Sequence, residues 1–352
     1  MSAFDVFLRA MEIALAFFAA VAIALGIALV VLRASNSSRE RHQSALERRW
    51  QALFSPTAAA SSEFPAIEKD DRGTVLMVFN AFAERGPGPA LDETARAIGL
   101  DVCARGLLAV DDDAAKIVAL GTLGWLGDLS LVPEARKLML ESRSRLSFAA
   151  AQALLRLDPA SIDQVVVQVR DRFGYVRARV ESMFCEVGAE ALDPSMQRVV
   201  AASDERGKIR LIEYIGCCSE GAARAICLSV VAETENPELL AAALRALAPI
   251  AVPGDVRLAR AHVDDGLPFV RLAALRLLRA TATPADAALL ERLTSDGNWW
   301  VRQRAAEALV SLDGANAIAL RVLESPDDPY ASRAIAAAFA EQRTERFAGE
   351  IA

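Results

Sequence analysis

The sequence predicts an all-α solenoid of about eight helix hairpins, preceded by one transmembrane helix. Three observations predict it. The chain is 53% hydrophobic but only 6% aromatic, so Ala and Leu, both strong helix formers, supply most of the apolar surface. A helical pattern recurs along most of the chain at a spacing of 30 to 32 residues. A single run of twenty apolar residues stands near the start.

That run is Ile13 to Leu32, inside an anchor read as residues 1–33. At 1.5 Å of rise per residue it makes roughly 30 Å of helix, one hydrocarbon core. A cleaved signal peptide fits less well, because Asp5 and Glu12 accompany a single Arg9 in the segment before it. Arg33, Arg39, Arg41, Arg48 and Arg49 all follow the span, which places the solenoid in the cytoplasm by the positive-inside rule. Only four of the 39 basic residues are Lys, a usage that points to a GC-rich bacterial genome and hence to a bacterial inner membrane.

Residues 34–54 read as a juxtamembrane amphipathic helix with Leu46, Trp50 and Leu53 on one stripe and Arg48 and Arg49 beside it. Trp50, Arg48 and Arg49 are expected at the membrane interface, on anionic headgroups or against a partner's transmembrane domain. Residues 55–71 are rich in Pro, Ser and Ala and read as a linker, and residues 72–90 as a capping helix and loop.

From residue 91 to 342 the chain is periodic. Val301 to Asp313 carries apolar residues on one helical face, and equivalents start at Ala115, Leu146, Val176, Gly207, Leu239, Val270 and, faintly, Ala331. Companion helices are expected from near Leu131, Ile162, Pro194, Ala222, Asp255, Pro284 and Ala315, with prolines clustered at the boundaries where a helix tolerates them. One hairpin cannot bury its apolar face alone, so neighbours must stack. Residues 343–352 read as a C-terminal tail.

The turns carry a further signal. Asp171, Asp265 and Asp296 stand six residues before Arg177, Arg271 and Arg302, each Arg following a Val. This Asp-turn-Val-Arg pattern resembles HEAT repeats of the short, bilin-lyase-like type, whose Asp and Arg residues pair along the stack as a ladder. Ser147, Leu240 and Ser332 occupy the Arg place and would interrupt it. The layout of anchor, helical lead-in, LGWLGD at Leu123 to Asp128 and LSFAAAQALLRLDP at Leu146 to Pro159 also resembles bacterial anchored HEAT proteins found beside membrane glycosyltransferases. That resemblance implies an integral membrane glycosyltransferase as partner, in a complex that makes or exports polysaccharide.

Catalytic chemistry is scarce. His42 and His262 are the only histidines, which rules out a His-rich metal centre of the di-iron hydroxylase kind. No phosphate loop, Cys-x-x-Cys or nucleophile elbow is present. No catalytic residue, metal or cofactor is expected. Asp111-Asp112-Asp113 reads as a solvated turn before a helix. Cys103, Cys185, Cys217, Cys218 and Cys227 read as free, mostly buried thiols, and neighbours such as Cys217 and Cys218 rarely bridge. The net charge of −7 includes +2 on residues 1–50, leaving a body at −9 that argues against nucleic acid.

Two polar or aromatic sets remain. The Arg residues at the repeat starts, with Lys116 and Lys208, form either a structural ladder or an anion-binding stripe. Trp299, Trp300, Tyr175, Phe269 and Tyr330 precede repeat helices and form either core packing or a row of interface anchors on one rim. The reading that follows is a non-enzymatic, membrane-anchored scaffold that binds a protein partner. A bilin lyase or isomerase is the alternative.

Overall fold

A computed structural model describes residues 43–54, 66–86, 89–172, 175–325 and 327–351. The expected transmembrane helix and most of the linker lie outside the described residues. Among those described, no helix is long and apolar enough to cross a membrane. They hold helices and no strand.

The chain divides into two compact units, residues 1–157 and 158–352. The first contains α1 (43–54), α2 (Arg72–Arg85), α3 (Pro89–Ala97), α4 (Leu100–Leu108), α5 (Asp113–Trp125), α6 (Val132–Glu141) and α7 (Ser144–Leu157). In the second, α9 (Arg177–Val187), α11 (Glu205–Ile212), α13 (Pro237–Leu247), α15 (Pro268–Thr281), α17 (Trp299–Ser311) and α19 (Pro329–Ile351) are the first helices of hairpins. Their companions are α10 (Ala189–Ala201), α12 (Glu220–Glu233), α14 (Val256–His262), α16 (Ala287–Leu293) and α18 (Asn316–Glu324), with α8 (Ile162–Asp171) leading in. The helices from α11 to α19 that begin hairpins pack each on the next, which is the stacking the period requires.

All eight repeat helices begin within two residues of the positions the period predicts. Local chemistry sets those starts. Asp112, Asp204, Asn236 and Asn298 cap α5, α11, α13 and α17, each accepting hydrogen bonds from backbone N–H groups of the first turn. Pro133, Pro237, Pro268 and Pro329 occupy opening positions of α6, α13, α15 and α19. Pro194 is different. It lies inside α10, which begins at Ala189, because Gly188 at φ 84° turns the chain earlier. The last helix also runs on to Ile351, so the residues read as a tail continue α19.

The unit spanning 1–157 is closed by an aromatic cluster. Trp50 is 2% exposed and packs with Phe54, Val75, Val78, Phe79 and Leu100. Phe54 lies 5.8 Å from both Trp50 and Phe79, ring centre to ring centre. The interface position expected for Trp50 is therefore corrected: its indole covers α2 instead of lipid, because the stripe Leu46–Trp50–Leu53 has an apolar protein face to bury against. Arg48 and Arg49 remain on the exposed side of α1. Deeper in, Asn80 of α2 donates to the Val118 carbonyl at 3.0 Å and accepts from Thr122 at 2.9 Å, tying α2 to α5. Gly124 lets α5 approach α7 closely; a Cβ there would meet the Cα of Ala153 at 3.2 Å.

Candidate functional site

The Asp–Arg ladder is present in part. Arg271 grips Asp296 of the next hairpin through two hydrogen bonds of 2.9 and 2.7 Å and also donates to the Asp265 carbonyl at 2.9 Å. Arg302 donates in the same way to the Asp296 carbonyl at 2.8 Å, and its guanidinium lies 5.3 Å from the Tyr330 ring centre. Asp265 and Asp296 meanwhile accept from Leu267 and Asn298 backbone N–H groups, shaping their turns.

The rung expected from Asp171 and Arg177 does not form. Asp171 is the last residue of α8 rather than a turn residue, and Arg170 beside it takes both carboxylate oxygens. Arg177 turns instead to Glu181 at 2.7 Å and the Glu213 carbonyl at 3.0 Å. Where serine stands in the Arg place, its hydroxyl does the local part of the work. Ser147 donates to the Met139 carbonyl and Ser332 to the Leu323 carbonyl, each tying a hairpin's first helix to the end of the preceding companion. Of the two alternatives for the Arg row, the ladder holds for Arg271.

A second ladder runs along the companion helices. Arg224 pairs with Asp255, and Arg260 pairs with Asp286 at 2.6 Å. Both aspartates are nearly buried, and each also accepts from a backbone N–H, of Val252 or Thr283, closing the turn before its helix. The Arg224 hydrogen bond holds the Asp255 carboxyl below the ordinary carboxylate range. Burial pushes Asp286 up, but Arg260 and Thr283 outweigh it and the net displacement is downward. The signal for these residues was Pro-x-Asp, at Pro253 to Asp255 and Pro284 to Asp286.

The aromatic row is exposed. Phe269, Trp300 and Tyr330 hold equivalent places at the starts of α15, α17 and α19, and are 40%, 56% and 62% exposed. Trp299 is 54% exposed and meets Trp300 edge to face at 4.4 Å. Neither indole is swallowed by the core, so the core-packing alternative fails for this pair. Leu267, which periodicity did not single out, is exposed beside Phe269 in sequence. Tyr175 is half-buried, and Arg206 and Glu238 hold the intervening places, so it does not continue the row.

The acidic triplet at 111–113 is a cap, with Asp112 accepting from Ala114 and Ala115 and Asp111 near Lys116. Among the described residues, no group of three His, Cys, Asp or Glu side chains could hold a metal. The cysteines are free, but only Cys227 is buried and Cys185 is exposed, which corrects the expectation of mostly buried thiols. Burial pushes Cys217 and Cys218 up to about 12, and neighbouring Cys185 adds to the effect at Cys217. Such thiols are poor nucleophiles at neutral pH.

The sequence matches no known protein family and no curated protein. Solved structures similar to the chain include an engineered protein at 15% identity, covering 84% of this chain and 88% of its own, with a TM-score of 0.36. Human deoxyhypusine hydroxylase, solved with glycerol, is similar at 16% identity over 69% of this chain and 98% of its own, with a TM-score of 0.27. A second engineered protein is similar at 14% identity over 67% and 96%, with a TM-score of 0.25. Likenesses at this level carry no argument about activity, and one of these proteins is an enzyme.

Proposed function

We propose that this chain is a non-enzymatic scaffold, tethered to a bacterial inner membrane by residues 1–33, that captures a protein partner on its aromatic rim. The observation that carries the proposal is the exposure of Leu267, Phe269, Trp299, Trp300 and Tyr330 at the starts of three helices packed in sequence. Large aromatic side chains bring much apolar area and little side-chain entropy to an interface, which is why they dominate binding energetics. Exposed in water they cost solubility, so a rim of them implies a cover. A tether would raise the effective concentration of a partner in the same membrane. The proposed partner is an integral membrane protein, and the layout of the sequence favours a glycosyltransferase of a polysaccharide complex.

The test is site-directed photocrosslinking in native membranes, with a photoreactive phenylalanine analogue at position 300 and at the exposed control position 206. Adducts with an integral membrane protein from position 300 alone, lost on Trp299→Ala with Phe269→Ala, are the expected result. No adduct from position 300, or the same adducts from both positions, would overturn the proposal.

A further inference from the structure

The hairpins of residues 158–352 enclose a cleft of about 660 Å³ against the first helices α9, α13 and α15. Its walls include Arg177, Tyr214, Ile215, Arg245, Pro249 and Arg276. The volume is that of a small-molecule site. The cleft is independent of the aromatic rim, sharing no residue with it.

Arg245 and Arg276 set this cleft apart. They hold the same place in successive repeats, six residues after Leu239 and Val270. Their charges therefore stack along α13 and α15, which pack directly on each other. Among the described residues, no carboxylate hydrogen-bonds either one. Several other guanidiniums in the same unit are neutralised: Arg271 by Asp296, Arg224 by Asp255, Arg260 by Asp286, Arg321 by Glu291. One repeat further along the same row the residue is Glu307, which takes both Arg279 and Arg304. One repeat earlier it is Glu213, whose carboxylate reaches Arg245 only through space. Burial and the neighbouring Arg276 charge both disfavour the protonated form of Arg245, so the pair is repulsive as it stands. Arg177, on the opposite wall, is already occupied by Glu181 and the Glu213 carbonyl.

Two neighbouring guanidiniums that no described carboxylate hydrogen-bonds, in a concave site, are a fork for an oxyanion, since Arg donates in pairs to carboxylate or phosphate. The rest of the wall sets apolar Ile212, Ile215, Ala242, Ala246 and Pro249 beside the carboxylates Glu181 and Glu213 and the thiols Cys185 and Cys217, with buried Tyr214 held edge-on against Phe184. We propose that this cleft binds a compact organic anion, its carboxylate or phosphate bridging Arg245 and Arg276 and its apolar body lying against Ala246 and Pro249.

The experiment is isothermal titration calorimetry on the full chain in detergent micelles. The probes are phenyl phosphate, phenylacetate, inorganic phosphate and uncharged benzyl alcohol. The proposal expects one or both aromatic anions to bind, and the stronger of the two identifies the head group. It expects benzyl alcohol not to bind and inorganic phosphate to bind more weakly. Arg245→Gln and Arg276→Gln should each weaken the aromatic anion roughly tenfold to a hundredfold, while Arg333→Gln, at an exposed arginine of α19, leaves it unchanged. Both cleft variants should melt at or above the parent temperature without ligand, because each removes a like-charge repulsion. Absence of binding by both aromatic anions, binding that survives the cleft substitutions, or equal affinity for inorganic phosphate would overturn the assignment.

Discussion

The two units share the arginine–aspartate pair, Arg105–Asp128 in residues 1–157 and Arg224–Asp255 in residues 158–352, but differ in what they add to it. In residues 1–157 the leading end is sealed by an aromatic cluster, Trp50, Phe54, Phe79 and Phe82, donated in part by a helix that precedes the repeats. In residues 158–352 successive hairpins are stitched by further pairs, Arg224–Asp255 and Arg260–Asp286 along the companion helices and the single rung Arg271–Asp296 in the turns. The difference follows from what each region must bury. α1 and α2 stand outside the periodic hairpins and share no repeated polar position, so bulky apolar side chains join them. An interior hairpin meets a near copy of itself, so a polar pair at a fixed place can recur from one step to the next, as it does from Arg224–Asp255 to Arg260–Asp286.

The comparison can be broken most forcefully at the aromatic end. Trp50→Ala should cost about 4 kcal/mol, read as a large fall in denaturant midpoint, whereas a membrane-interface role would leave it almost unchanged. The next largest effect is at the companion ladder. Asp255→Ala leaves Arg224 without its partner and should cost about 3 kcal/mol in chemical denaturation. The same carboxyl gives a pH signature. Its depressed pKa means that its stabilisation is complete above the ordinary carboxylate value near about 4 and fades as pH falls through the lower folded value. Asp255→Asn should therefore flatten the loss of stability in acid, and an unchanged acid profile would exclude the pair as its source.

Smaller effects sharpen the contrast within the turn row. Arg271→Ala, which breaks a two-bonded pair, should cost about 2 kcal/mol. Arg302→Ala should cost about 1 kcal/mol, because its bonds go to carbonyls and an aromatic face. Equal melting temperatures for the two variants would remove the distinction. Smallest of all is the rim. Trp299→Ala should change stability by no more than about 0.5 kcal/mol, and a larger fall in melting temperature would return that indole to the core.

Much of this architecture was legible because it is periodic. Apolar spacing places the starts of α5, α7, α9, α11, α13, α15, α17 and α19, and the prolines mark most of the boundaries. Less legible was which polar groups meet. Asp171 and Asp265 look alike in sequence, yet one ends a helix beside Arg170 and the other shapes a turn. The candidate rim was legible as residue types, but its extent was not. Tyr175 shares the place of Phe269, Trp300 and Tyr330 and still falls outside their row, because intervening repeats carry Arg206 and Glu238 there.

By itself, then, the sequence determined a stack of helix hairpins of near-constant length, because helical periodicity and proline placement are local and repeat at every step. Only the tertiary structure decided that Trp50 is covered, that Asp255 and Asp286 carry a second ladder, and that Arg245 and Arg276 line one cleft. Each of those outcomes depends on which side chain of a neighbouring layer arrives at hydrogen-bonding or van der Waals distance. That is a property of packing between segments tens of residues apart, and no local pattern encodes it.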